Sequence, residues 1–232
     1  SPMKFTGKFI EFCKRLVKYI LYYRHTPDHK NSKIFEEIYH DNVWDTEESR
    51  SGGGSTFQGT QAIREALPRL LQTYKINTML DIPCGDYNWM QHVKKTCTYI
   101  GADIVPALIQ KNTEKYAFGN ISFHLLDLTK DKLPKVDLVF CKDCLQHLSN
   151  AQVKDALRNI KRSESTWLLV TSYPLTLFNY DIESGGYRAL NLFRKPFSLA
   201  KPTYKIEEKA TGKNIEVDKT MYLLRIKDLP DF

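Results

Sequence analysis

The sequence predicts an α/β protein: a seven-stranded, mostly parallel sheet with helices on both faces and an antiparallel C-terminal strand pair. Three observations carry this. Five short apolar runs follow one another from residue 78, with helix-period stretches between several of them. Two further runs near the end have no clear crossover helix between them, which suits an antiparallel edge pair. A glycine turn directly follows the first run, where an open parallel sheet binds its ligand.

The elements follow in chain order. Ser1-Pro2 ahead of Met3 reads as a tag remnant and is set aside. From residue 3 to 24, Phe5, Phe9, Phe12, Leu16 and Ile20 recur at helical spacing, which predicts an amphipathic N-terminal arm. The arm packs on the main domain or on a second subunit, or lies on a membrane surface. Residues 25–56 are polar and run into Arg50-Ser51-Gly52-Gly53-Gly54-Ser55, the composition of a flexible loop. The division expected is therefore an arm and Gly/Ser loop over 3–56 and a domain over 57–232. Thr60 to Thr73 reads as a helix with Ile63, Leu67, Leu70 and Leu71 inward. The strand candidates are Thr78–Ile82, Tyr99–Asp103, Ile121–Leu126, Val136–Phe140, Ser165–Thr171, Thr203–Glu207 and Thr220–Ile226. Helical spacing returns at Val105–Tyr116 and Asn150–Lys161.

Composition narrows the class. A hydrophobic fraction of 42% supports a real core, and no run is long and apolar enough to span a bilayer. The net charge is +7, and residues 1–30 hold seven bases against two acids. The charge thus sits in the arm, which can meet phosphate or an anionic membrane surface or simply stay solvated. The rest lacks the basic stripe of a nucleic-acid reader. Five cysteines without a secreted-domain spacing point to a reducing, cytoplasmic setting. Cys141-x-x-Cys144 has no second pair to complete a zinc site and falls at a strand end, so no metal is assigned.

The chemistry concentrates around Asp81-Ile82-Pro83-Cys84-Gly85-Asp86-Tyr87-Asn88-Trp89. An acid followed by a glycine turn that opens a helix lets backbone approach a ligand closely. The next strand ends in Asp103, and an acid about 20 residues past such a turn suits the two hydroxyls of a ribose. These residues resemble the class I S-adenosylmethionine-dependent methyltransferases, a Rossmann-like fold. Asp81-x-x-Cys84-Gly85 is similar to their first motif, and Asp103 stands where their ribose-binding acid stands. Leu126-Asp127-Leu128 resembles the segment beside the adenine, and Val136–Phe140 their fourth strand. The resemblance covers roughly residues 60–175 and the terminal strand pair. One departure is Tyr87, where the family usually carries a second glycine.

The resemblance implies S-adenosylmethionine as cofactor, held by Arg50, Ser55, Asp81, Pro83, Cys84, Gly85, Asn88, Trp89, Asp103, Ile104, Asp127, Leu128 and Lys142. It also places the acceptor near Cys141-Lys142-Asp143-Cys144-Leu145-Gln146-His147. An alcohol acceptor must lose a proton, and Asp143 or His147, four apart on one face of a helical segment, are the candidate bases. The plainer alternatives are a packing histidine and a capping or cofactor-contacting aspartate. The same pair also suits part of a divalent-metal site. Tyr180, Tyr187, Arg188 and Asn191, in a polar and aromatic stretch, are the candidate acceptor contacts.

Lys142-Asp143-Cys144-Leu145 lacks the Pro-Pro-aromatic signature of base-amino methylation, and nucleic acid is not expected as a partner. Ser-Gly-Gly-Gly-Ser together with Ile-Pro-Cys-Gly-Asp-Tyr-Asn-Trp resembles a small methyltransferase group met in glycan assembly, which implies O-methylation of a sugar. The alternatives are O- or N-methylation of another small metabolite and a non-catalytic cofactor-binding module. The oligomeric state is open.

Overall fold

The computed structural model describes residues 14, 31–41, 49, 53–208 and 218–232. The expected helix over 3–24 falls outside these, apart from Lys14, as does Arg50.

Seven strands form one sheet in the order β3-β2-β1-β4-β5-β7-β6. They are β1 (Thr78–Asp81), β2 (Thr98–Asp103), β3 (Ile121–Leu125), β4 (Leu138–Cys141), β5 (Trp167–Ser172), β6 (Tyr204–Glu207) and β7 (Thr220–Arg225). The first five pair in parallel, and β7 runs antiparallel to both β5 and β6. The predicted sheet and its antiparallel pair are therefore present, with strand ends shifted by a residue or two.

The helices are α1 (Asn31–His40), α2 (Gln61–Thr73), α3 (Pro106–Tyr116) and α4 (Asn150–Arg162). Local chemistry sets two of their starts. Pro106 opens α3, where the missing N–H costs nothing. The Ser149 side chain caps α4 by accepting from the Gln152 N–H.

Side chains along each strand alternate between two cores, as the pleat requires. Met79, Leu138, Phe140, Leu169 and Leu223 join α2 and α3 on one face. Leu80, Val139, Cys141, Leu168 and Leu224 join α4 through Val153, Leu157 and Ile160 on the other. Leu67 and Leu157 are fully buried, so truncating either to Ala costs about 2–5 kcal/mol.

Two expectations are corrected here. The polar 25–56 segment contains helix α1, because Ile34, Phe35, Ile38 and Tyr39 repeat at helical spacing. Phe35 packs against both cores, and with Tyr39 it faces the carboxyl ends of the central strands. The glycine turn after β1 does not open an α-helix. Asp86 caps the Asn88 N–H, Tyr87 is buried among Tyr99, Tyr116 and Phe123, and only a short 3-10 turn at Met90–His92 follows.

Candidate active site

Strand order reverses at β1, which lies between β2 and β4, and a cleft opens beyond the carboxyl ends of these strands. Its empty space is about 1120 Å³, part of it open to solvent. Thirteen of the predicted residues line it: Ser55, Asp81, Pro83, Cys84, Gly85, Trp89, Asp103, Ile104, Asp127, Leu128, Lys142, Asp143 and His147.

The turn after β1 forms one wall. Gly85 has φ 56, a left-handed conformation that glycine adopts without strain. Its N–H donates to Asp103 Oδ2 at 3.1 Å, and its carbonyl accepts from buried Asn112 of α3 at 2.8 Å. Asn112 was missed in the sequence because an Asn within a helix carries no signal of its own. Asp103 is 6% exposed, and burial pushes its carboxyl up to about 6. Asp81 is buried too and raised to about 7 by that burial, although Tyr99 donates to its Oδ2 at 2.6 Å. Two buried acids thus face an otherwise largely apolar cleft. Burial likewise raises the Cys84 thiol, which fits a turn residue and not a nucleophile.

Asp127 is committed elsewhere. Its Oδ1 accepts from the Thr129 N–H at 2.8 Å and from the Thr129 hydroxyl at 2.6 Å. Its Oδ2 lies 3.3 Å from Lys130 Nζ.

Hydrogen bonds hold Ser49, Gly54 and Ser55 to the body of the domain. Ser49 donates to Asp86 Oδ2 at 2.8 Å, Asn88 Nδ2 to the Ser55 carbonyl at 3.2 Å, and Lys142 Nζ to the Gly54 carbonyl at 2.8 Å. Asn88 therefore holds the loop and is absent from the cleft lining.

Asp143 and His147 both reach the cleft but do not share a helical face. Asp143 sits at φ 52, ahead of a 3-10 turn at Leu145–His147. Asp143 Oδ2 pairs with Lys142 and, at 2.8 Å, with Lys219. The two lysines also lie 3.4 and 3.7 Å from Glu208, whose buried carboxylate has no hydrogen bond among the described residues. Burial alone would raise Asp143, but Lys142 and Lys219 outweigh it and hold the carboxyl well below the usual range. Burial raises Glu208 against the pull of the same lysines. A carboxylate that binds protons so weakly makes a poor base.

His147 has a different setting. Its Nδ1 lies 2.8 Å from the Gly186 carbonyl, which can only accept, so Nδ1 carries the proton. The neutral ring then has its basic lone pair on Nε2. The Tyr187 ring lies 5.7 Å away, centroid to centroid.

Two predicted acceptor contacts are corrected. Arg188 is 1% exposed and donates to the carbonyls of Gln146 and Leu148 and to Asn150 Oδ1. Asn191 is buried and donates to the carbonyls of Pro174 and Thr176. Arg188 ties the long loop to the segment after β4, Asn191 ties the loop to itself, and neither lines the cleft. Tyr180 is half-buried and outside the lining, while Tyr187 is exposed beside His147. Cys144, within the segment expected beside the acceptor, lines the cleft, as do Phe35 and Tyr39, which were not foreseen. Among the described residues, no group of three or more His, Cys, Asp or Glu is placed to hold a metal. No helix among them is long and apolar enough to cross a membrane.

Residues 79–164 match the family described as a methyltransferase domain, and that segment holds Asp81, Gly85, Asp103, Asp127, Lys142, Asp143 and His147. The fold is similar to that of N-methyltransferase NodS from Bradyrhizobium japonicum, solved with S-adenosyl-L-homocysteine: TM-score 0.57, 12% identity, over 84% of this chain and 100% of that one. A methyltransferase from Anabaena variabilis gives a TM-score of 0.58 at 10% identity, over 87% and 97% of the two chains. The 1,6-didemethyltoxoflavin-N1-methyltransferase of Burkholderia thailandensis gives 0.54 at 13% identity, over 97% and 92%. No curated protein sequence matches the chain. Residues 79–164 are thus similar to a methyltransferase domain, and the fold is one that solved S-adenosylmethionine-dependent methyltransferases share.

Proposed function

We propose that this protein transfers the methyl group of S-adenosylmethionine to a hydroxyl of a sugar, with His147 as the general base. The observation that carries the reading is a single cleft lined by Gly85 and Asp103 and also by His147. The cofactor fits these residues, because a buried carboxylate in a largely apolar cleft is suited to a nucleoside with paired hydroxyls. Asp103 would accept from the ribose hydroxyls, Gly85 would let backbone approach, and the backbone beside Leu128 would face the adenine. Asp81, Ser55 and Lys142 would surround the methionine end. When bound, the cofactor supplies an electrophilic methyl on a sulfonium.

The chain's own residues then align the acceptor and remove its proton. Alignment is the larger effect, since a bound near-attack geometry replaces a bimolecular encounter. His147 Nε2 takes the hydroxyl proton, and the Gly186 carbonyl holds the ring and steadies the imidazolium that forms. The exposed Tyr187 ring beside it offers a face of the kind sugar rings pack against.

The test is transfer from labelled S-adenosylmethionine to a panel of free sugars, glycans and small amines. Label on a sugar oxygen supports the reading. Label on amines alone replaces it with N-methylation, and cofactor binding without any transfer replaces it with a binding module.

A further inference from the structure

Helix α1 and the candidate base meet at one glycine. Gly185 has φ +90, and a Cβ there would lie 2.3 Å from Ile34 Cγ2 and 3.4 Å from Ile38 Cδ1 of α1. The helix can therefore seat only on a residue without a side chain. The same turn grips His147 from two sides. The Gly185 N–H donates to the His147 carbonyl at 2.9 Å, and the Gly186 carbonyl accepts from the ring at 2.8 Å.

The turn is in turn stitched to the segment around the base. Asp181 accepts from the Asn150 N–H at 2.6 Å, Ser184 from the Ser149 N–H at 3.2 Å, and the Arg188 N–H donates to the Gln146 carbonyl at 3.1 Å. α1 also lines the cofactor cleft through Phe35 and Tyr39. One ten-residue helix thus touches the cleft with one pair of side chains and the base's support with another.

We propose that Ile34 and Ile38 of α1, seated on the Gly185–Gly186 turn, are positioning residues that fix the ring orientation and tautomer of His147. The helix that walls the cofactor cleft thereby also completes the base. This rests on the reading of His147 as the base, but the geometry it invokes can be measured without any reaction.

The experiment uses the full chain labelled with ¹⁵N-histidine, at a pH where an ordinary histidine is neutral. Long-range proton–nitrogen spectra report which ring nitrogen is protonated, and His147→Ala assigns the signal. The native protein should show His147 as the Nδ1–H tautomer. Ile34→Ala combined with Ile38→Ala removes the seat without straining the turn, and should convert that signal to a mixture of tautomers. It should also lower turnover roughly tenfold to a hundredfold through misplacement of the base. Gly185→Ala should do the same, because its Cβ would displace Ile34 from the turn. An unchanged Nδ1–H signal in the Ile34→Ala, Ile38→Ala protein overturns the proposal. Near-native turnover in His147→Ala overturns the base assignment instead, and leaves the tautomer measurement to decide the seating alone.

Discussion

Nδ1 of His147 donates to the Gly186 carbonyl at 2.8 Å, and this contact separates the two residues that looked interchangeable as bases in the sequence. Asp143, four positions earlier, is bound to two lysines. His147→Ala is expected to lower turnover by about 10²–10⁴-fold. Its affinity for S-adenosylhomocysteine should stay close to native, by titration calorimetry. Equal loss of affinity and turnover would make His147 a cofactor contact.

Asp143→Ala is expected to act through stability. Removing this carboxylate takes from buried Lys142 and Lys219 an anion that both of them pair with, and breaking a buried ion pair from one side costs about 3–5 kcal/mol. Urea denaturation should show that loss with or without cofactor. A protein of native stability but without turnover would return Asp143 to the reaction.

Gly54→Ala tests the same cluster from the loop side. Its Cβ would lie 2.4 Å from Asp143 Oδ2 and 3.1 Å from Lys219 Nζ. Overpacking of this kind costs about 1–3 kcal/mol. The expected result is a lower denaturation midpoint and weaker S-adenosylhomocysteine binding, because Ser55 next to it lines the cleft.

Burial raises Asp81 to about 7 and Asp103 to about 6. A carboxyl raised on folding favours the folded state most below its unfolded value near 4, and that advantage is lost as pH climbs through the raised value. Denatured without added cofactor, the protein should therefore lose stability from these two groups between pH 4 and 7. Asp81→Asn keeps an acceptor for the Tyr99 hydroxyl and removes one of the buried charges. Its melting temperature should exceed the native value at pH 8 and match it near pH 5. A lower melting temperature at pH 8 would show that the ionised form is stabilised by contacts stronger than its burial cost.

The sheet was legible in the sequence because short apolar runs and helix-period stretches alternate wherever parallel strands are buried on both faces. Gly85 and Asp103 were legible for a related reason, since a turn and a strand end are fixed by local sequence. Helix α1 was missed because only four apolar residues mark it within a polar stretch, and its stability comes from contacts with distant residues such as Gly185. The fate of Asp143 was equally hidden. Its partner Lys219 lies 76 positions away, so only the folded sheet brings the residue before β7 across β5 to the end of β4. Arg188 and Asn191 had the composition of ligand contacts, yet Arg188 satisfies the carbonyls of Gln146 and Leu148, and Asn191 those of Pro174 and Thr176.

Calorimetric titration of S-adenosylhomocysteine into the native full chain and into Asp103→Ala tests most directly whether the cleft beyond β1 and β2 holds the adenosyl group. Saturable one-site binding is expected, weakened roughly tenfold or more in Asp103→Ala through loss of bonds to a charged acceptor. The native affinity should also fall by up to about tenfold per pH unit below pH 6, as Asp103 takes up a proton. No heat from the native protein, or equal affinities in the two proteins, would contradict it.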